Sequence, residues 1–207
     1  MDALRIDDVK YDVSDVFALP EGQRAELVDG DLYMMAPPRF RHQRILMALS
    51  SAIFEHIKNK KGDCVVLPAP FGVFLQEDDR NYVEPDISVI CDRNKIKEDG
   101  CHGAPDWIIE IVSPTSRKMD CFIKLNSYRR AGVREYWIVD PETEKVRVYD
   151  LPAAEEADYT FADMVPVHIY EDLQIDMKEM DRYRGCILGG KLQKIPWIFR
   201  RYMVIFI

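Results

Sequence analysis

Two carboxylates within short apolar runs are the first residues of this chain that could take part in catalysis. Glu110 lies in the run DWIIEIV (106–112), and Asp86 opens the run DISVI. Because side chains alternate along a strand, Glu110 would share a face with apolar neighbours and be buried. A buried carboxylate is neutralised by a proton, a basic group or a metal ion. Two such carboxylates on neighbouring strands could bind one hard cation, which prefers oxygen ligands.

A lysine follows these carboxylates on a predicted helix. Asp120 and Lys124 are four residues apart, after the polar loop SPTSRK, and therefore share a helix face. They could form an ordinary surface ion pair worth about 0.3 to 0.5 kcal/mol. Equally, Glu110 could pair with a buried base and Asp86 could cap a turn. From spacing alone these structural interpretations stand beside the catalytic one, in which Lys124 points into the pocket of Glu110.

The elements that must position these residues follow from hydrophobic spacing and turn residues. Asp29-Gly30 predicts a type I′ hairpin within residues 25–37, and the apolar spacing of 39–60 predicts a helix that ends before Gly62. The run 106–112, apolar on both faces, predicts a central strand. Further predictions are strands at 64–67, 71–75, 86–91, 134–139 and 145–149, β structure within 159–169, and a helix over 120–130 that ends before Gly132.

This order of elements predicts an α+β fold with a mixed sheet flanked by two main helices. The sequence contains no internal repeat and no low-complexity linker, so we predict one domain over residues 1–180. Residues 181–207 differ in composition, with six basic residues and one acidic residue among many apolar ones. The role of this tail is left open: a packing strand, a partner-binding segment and a sequence artefact all fit it.

Three stretches carry these candidate residues in a fixed order: PDISVI, GAPDWIIEIVSPTSRKMD and KLNSYRRAGVREYWIVDPETEKVRVYDL. Together they resemble the Uma-two family, a bacterial branch of the PD-(D/E)xK nuclease superfamily. The segment AELVDGDLYMMAPPRFRHQRI resembles that family's opening, a hairpin with a glutamate followed by a helix with an early histidine. The resemblance extends from about Glu26 to Val148, and the order of its motifs makes it specific.

The resemblance implies a restriction-endonuclease-like core in which Asp86 and Glu110 bind Mg²⁺ or Mn²⁺. A backbone carbonyl near Ile111 would be a further ligand. The metal would lower the pKa of a bound water and stabilise the charge on phosphorus during hydrolysis. Lys124 would position or activate that water, or stabilise the oxygens of the reacting phosphate.

Other pocket residues follow from the same resemblance. Glu26 is expected to be a further acid, His42 a ligand or proton carrier, and Asp120 a supporting residue. Histidines in isolation are more often structural, so a structural role for His42 stays open. In the superfamily the lysine usually lies two residues after the acid, where this chain has Val112. The resemblance places the lysine on the next helix instead, at Lys124.

We expect the substrate to be DNA and the protein to be a homodimer, since related nucleases often pair two centres. A solvated helix face is the alternative explanation for the basic side chains that we consider as phosphate contacts. A non-catalytic nucleic-acid-binding or regulatory module is the alternative function, and a two-carboxylate glycosidase suits the adjacent lysine less well. The candidate phosphate contacts are Arg39, Arg41, Arg44, Arg117 and Lys118.

Composition and charge limit the remaining function classes. The net charge of -8 argues against general adhesion of the whole surface to nucleic acid, so a phosphate-binding face would be local. The five cysteines lack metal-ligand spacing, and we expect neither a zinc site nor a disulfide framework. The start MDALRIDDVK lacks the pattern of a signal peptide, and no apolar run reaches membrane-spanning length. We therefore expect a cytoplasmic protein with reduced thiols.

Overall fold

The computed structural model describes residues 10–113 and 119–181, and its first elements include the predicted hairpin. Helix α1 (Val13–Phe17) precedes strands β1 (Ala25–Val28) and β2 (Asp31–Met34), which pair antiparallel. The turn residues Asp29 and Gly30 have φ values of 52° and 80°. Positive φ at both central positions is the type I′ geometry that matches the twist of a hairpin. The hairpin prediction is confirmed.

Helix α2 (Phe40–Lys60) confirms the first predicted long helix. Its buried side chains recur at helical spacing, and they pack on the second sheet described below. The helix ends at Lys61, whose φ of 53° is left-handed, and Gly62 donates its N–H to the carbonyl of Ile57. The buried residues of α2 include Ile45, Leu46, Leu49, Ile53 and Ile57.

Two six-stranded sheets and one further hairpin contain the strands. The remaining strands are β3 (Val65–Pro68), β4 (Val73–Phe74), β5 (Tyr82–Val83), β6 (Ile87–Ile90), β7 (Ile96–Lys97), β8 (Gly100–His102), β9 (Trp107–Ile111), β10 (Glu135–Asp140), β11 (Lys145–Asp150), β12 (Glu155–Thr160), β13 (Met164–Val167) and β14 (Tyr170–Asp176). The first sheet has the order β2-β1-β5-β4-β8-β7, and the second has the order β12-β11-β10-β9-β6-β3. The α+β class is confirmed, with the strands divided over two sheets where the sequence predicted one.

Strand β9 lies inside the second sheet, parallel to β10 and antiparallel to β6. This position explains its nearly continuous apolar sequence, because both of its faces are covered. Trp107, Ile109 and Ile111 pack in the core that includes α2. Ile108 and Val112 pack in a second core on the opposite face. The predicted central strand and its alternation are confirmed.

The second predicted helix begins as a π-helical segment (Met119–Lys124) and continues as α3 (Leu125–Ala131). It ends at Gly132, whose φ of 92° is left-handed. A short helix, α4 (Met177–Met180), follows β14. In the described part of the chain, no helix combines the length and apolar character needed to cross a membrane.

One cysteine expectation is wrong. The structure joins Cys64 and Cys91 in a disulfide, although the two residues are 27 positions apart in sequence. The pairing of β3 with β6 explains this contact, because Val65 lies opposite Ile90 and the register brings the next residues together. Spacing rules for cysteines do not detect such a cross-strand pair. The expectation of reduced thiols is thus incorrect for these two residues.

Candidate active site

The second sheet brings the two predicted metal-binding carboxylates side by side. Ile87 of β6 lies opposite Ile109 of β9, so Asp86 and Glu110 are neighbours at the next position. The N–H of Asp86 donates to Glu110 Oε2 at 3.3 Å. Asp86 Oδ2 accepts the N–H of Ile111 at 2.7 Å, which fixes the orientation of that carboxylate. The antiparallel register therefore creates the pair.

Lys124 points into this pocket and not into solvent. Its side chain is 4% exposed, and its Nζ lies 2.8 Å from Glu110 Oε1 and 2.7 Å from Glu26 Oε2. Asp120 Oδ1 is 3.5 Å from the same Nζ, so the i,i+4 pair exists but is buried. Lys124 is the last residue of the π-helical segment, directly before α3. The structure thus brings together Asp86, Glu110 and Lys124, the three residues singled out in the sequence.

Glu26 approaches these residues from the first sheet, and with Asp86, Glu110, Asp120 and Lys124 it forms a cluster of charged side chains. It lies on β1, is 5% exposed, and its Oε1 also accepts the N–H of Glu84 at 2.9 Å. Its contact with Lys124 therefore links the first sheet to the helix that follows β9. The cluster consequently joins both sheets and the π-helical segment.

Tyr128 is a contact residue that the sequence reasoning missed. Its hydroxyl donates to Glu110 Oε1 at 2.7 Å, and its side chain is fully buried. Tyr128 lies four residues after Lys124, and this spacing on a helix could have identified it. An aromatic residue on a helix is more often read as part of the core, which is why the signal was overlooked.

The cluster has more negative than positive charge. Burial raises the pKa of Glu110 well above its ordinary value; Lys124 opposes this shift, and nearby carboxylates of Asp120, Asp86 and Glu26 add to it. Burial lowers the pKa of Lys124, but the charges of Glu110, Glu26 and Asp120 outweigh burial and raise it well above its ordinary value. The ammonium therefore keeps its proton, while the carboxylates compete for a counter-charge.

His42 reaches the same pocket from the first turn of α2. Its Nε2 lies 3.1 Å from Asp86 Oδ2. Burial lowers the pKa of His42, but the hydrogen bond and charge of Asp86 outweigh this effect, so the net pKa is raised. His42 can therefore carry a proton next to Asp86.

The sequence matches a known protein family over the residues that form this cluster. A family model named Uma2 and described as "Putative restriction endonuclease" matches residues 13–178, a span that includes the entire cluster. The chain belongs to the Uma2 family. This finding confirms the resemblance noted in the sequence.

Two relatives of this Uma2 chain extend the comparison. An uncharacterized protein of Synechocystis sp. is 25% identical over 128 residues, which cover 61% of this chain and 66% of that protein. A crystal structure from Anabaena variabilis, described as that of "a putative nuclease", matches with a TM-score of 0.68 at 24% identity. The match covers 83% of this chain and 98% of that structure. It shows that the restriction-endonuclease-like α+β fold is shared.

Two of the predicted phosphate-contact residues of the Uma2 chain are engaged within the protein. Asp181 Oδ2 accepts a hydrogen bond from Arg41 Nε at 3.1 Å, and Asp181 Oδ1 lies 3.3 Å from an Arg44 nitrogen. Arg39 is exposed at the start of α2. The other two candidates, Arg117 and Lys118, lie outside the described residues. Contact of these five residues with DNA stays a prediction.

The oxygen donors of the Uma2 pocket fit a hard divalent cation. Among the described residues, no three His, Cys, Asp or Glu side chains form a ready-made metal cage. Mg²⁺ nevertheless needs only one or two carboxylates, because it usually keeps several waters. Asp86 and Glu110 provide two adjacent carboxylates, and the cluster's surplus of negative charge favours a cation. The donor set is therefore compatible with Mg²⁺ or Mn²⁺.

Proposed function

We propose that this protein is a metal-dependent endonuclease that hydrolyses phosphodiester bonds of DNA. One observation carries the proposal: Asp86 and Glu110 are neighbouring carboxylates, and Glu110 binds the buried ammonium of Lys124. Carboxylates suit a divalent cation, and a lysine suits the negative oxygens of a phosphate. The family description supports nuclease chemistry in general, and the residue roles are our proposal.

Asp86 and Glu110 would hold Mg²⁺ or Mn²⁺, with the backbone carbonyl near Ile111 as a third protein ligand. A cation bound there would supply a water of lowered pKa and would stabilise charge on the phosphoryl oxygens. The protein's own contribution is orientation, since the N–H of Ile111 fixes the Asp86 carboxylate at 2.7 Å. Preorganised donors of this kind lose little energy to rearrangement during the reaction.

Lys124 acts as a fixed positive charge in this proposal. Its pKa is raised well above the ordinary value because three carboxylates surround it, so it does not serve as a proton acceptor. A protonated ammonium can instead stabilise phosphate oxygens or orient the attacking water. Glu26 and Asp120 would hold that ammonium in place. His42, at 3.1 Å from Asp86, would take up or release a proton beside the reacting water.

A second function is favoured by the same contacts. Lys124 is already surrounded by Glu26, Glu110 and Asp120, and a closed ion cluster of this kind can be purely structural. In that case the protein would use a nuclease fold as a non-catalytic nucleic-acid-binding or regulatory module. Metal binding distinguishes the two functions, because a structural cluster has no need for a cation. We propose DNA as the ligand in both cases, with a homodimer as the assembly and the cytoplasm as the location.

The test is nicking of supercoiled plasmid and cleavage of single-stranded DNA with Mg²⁺, with Mn²⁺ or with EDTA. We expect cleavage only with the metals, and loss of cleavage in Asp86→Asn, Glu110→Gln and Lys124→Ala. Glu135→Gln is the matched control for Glu110→Gln, because Glu135 is also buried on a central strand but binds Trp137 and Ile169 instead. An inert wild type, or site variants that cut as well as the control, would reject the catalytic function.

A further inference from the structure

Glu110 has two carboxylate oxygens, and the structure gives them different surroundings. Oε1 accepts two hydrogen bonds, from Lys124 Nζ at 2.8 Å and from the hydroxyl of Tyr128 at 2.7 Å. Oε2 faces Asp86 and accepts its N–H at 3.3 Å, a long and therefore weak contact. One oxygen is thus held firmly by side chains while the other is directed toward the second carboxylate.

We propose that Tyr128 is a positioning residue that orients Glu110 for metal binding. The inference rests on the proposed function and adds a residue to it. Lys124 alone cannot fix the rotamer of Glu110, because its ammonium is shared with Glu26 and Asp120. The hydroxyl of Tyr128 has Glu110 Oε1 as its acceptor, so it selects the carboxylate orientation that presents Oε2 to the cation. Groups that hold a ligand in this way typically change metal affinity about 10- to 100-fold when removed.

The sheet and helix keep Tyr128 rigid enough for this task. Its ring is fully buried and packs edge-on against Tyr136, with ring centroids 4.9 Å apart. It lies in α3, four residues after Lys124, which ends the π-helical segment, so two consecutive helical segments carry the two donors to Oε1. Burial and the negative charge of Glu110 raise the pKa of Tyr128 well above its ordinary value, so its hydroxyl remains a hydrogen-bond donor.

The chain offers a matched pair of variants for the test. Tyr128→Phe removes the hydroxyl that contacts Glu110, and Tyr136→Phe removes a buried hydroxyl that donates instead to the backbone carbonyl of Asp120 at 3.0 Å. We expect calorimetric titration with Mn²⁺ to give a Kd about 10-fold or more weaker for Tyr128→Phe, with little change for Tyr136→Phe. Thermal unfolding without metal reports the structural cost of each change separately.

Each outcome decides a different point. If the wild type binds Mn²⁺ and Tyr128→Phe binds it equally well, the positioning role is rejected while the proposed function stands. Equal weakening in both variants also rejects it, because general loss of packing would then explain the result. If the wild type does not bind Mn²⁺, the metal-dependent function itself fails, and the positioning role fails with it.

Discussion

The two faces of β9 form two different interiors. On one face, Trp107, Ile109 and Ile111 pack in a large apolar cluster together with α2. On the other face, Glu110 lies between Ile108 and Val112 and forms a buried network with Lys124. Burial stabilises the first face, whereas burial of charge costs free energy on the second unless each charge has a partner. The strand thus combines a scaffold with a site, and substitutions on the two faces should have different consequences.

The largest expected effect is that of Lys124→Met. Glu26, Glu110 and Asp120 would lose their shared counter-charge, so the free energy of unfolding should fall by about 3 to 5 kcal/mol. Cleavage should fall at least about 100-fold at temperatures where the variant is folded. Chemical denaturation and plasmid nicking measure the two effects. Lys95→Met is the control, because Lys95 donates to the carbonyl of Ala104 and has no role in the pocket.

On the apolar face, Ile109→Ala should destabilise the protein without changing its chemistry. The side chain is fully buried, and removing it leaves a cavity that typically costs about 2 to 5 kcal/mol. The Kd for Mn²⁺ of the folded variant should match that of the wild type, because Ile109 points away from Glu110. Denaturation and calorimetry check both statements. If metal binding is lost while the variant is folded, the two faces of β9 are not independent.

Loss of the contact between His42 and Asp86 should lower the free energy of unfolding by a smaller amount, and this amount should depend on pH. The folded-state pKa of His42 is raised, so its stabilising contribution is present below the unfolded-state pKa and lost as pH rises through the folded-state pKa. In EDTA, His42→Gln should therefore destabilise the protein more at about pH 5.5 than at about pH 9. Urea denaturation at both pH values measures the difference. A loss of unfolding free energy that is larger at the higher pH would contradict the raised pKa of His42.

The smallest effect concerns an ion pair far from the site. Arg147 Nε lies 2.7 Å from Asp158 Oδ1 on the outer strands β11 and β12, and both side chains are about half exposed. Solvent screens such a pair, so Arg147→Ala should cost only about 0.2 to 1 kcal/mol. The cleavage rate should not change. Comparison of this variant with Lys124→Met measures how much burial strengthens an ion pair in one protein.

The sequence predicted the scaffold better than the connections between its parts. The alternation in β9 and the spacing in α2 are local patterns, and the structure confirms both. The disulfide of Cys64 with Cys91 depends on the register of β3 with β6, which no local pattern fixes. The division of the strands into two sheets was missed for the same reason, because strand pairing is a long-range property.

For the site, the residue types were found in the sequence and their partners were not. Asp86, Glu110 and Lys124 were predicted from their order and from the family resemblance, and the structure places them in one pocket. Whether Lys124 would face solvent or the interior was open, since Asp120 and Lys124 at i,i+4 fit either case. Tyr128 escaped notice because an aromatic residue on a helix usually belongs to the core.

What the sequence determined by itself was the set of local choices. Turn residues, apolar spacing and the order of motifs depend on neighbours in the chain, and they specified the hairpin, the helices and the central strand. The tertiary structure decided which charges meet. Lys124 lies 98 residues from Glu26, yet their side-chain atoms are 2.8 Å apart, because the fold brings the π-helical segment after β9 against β1 of the first sheet. Burial and the neighbouring charges together then set the pKa values of this cluster, since the cost of an unpaired charge depends on the removal of water around it.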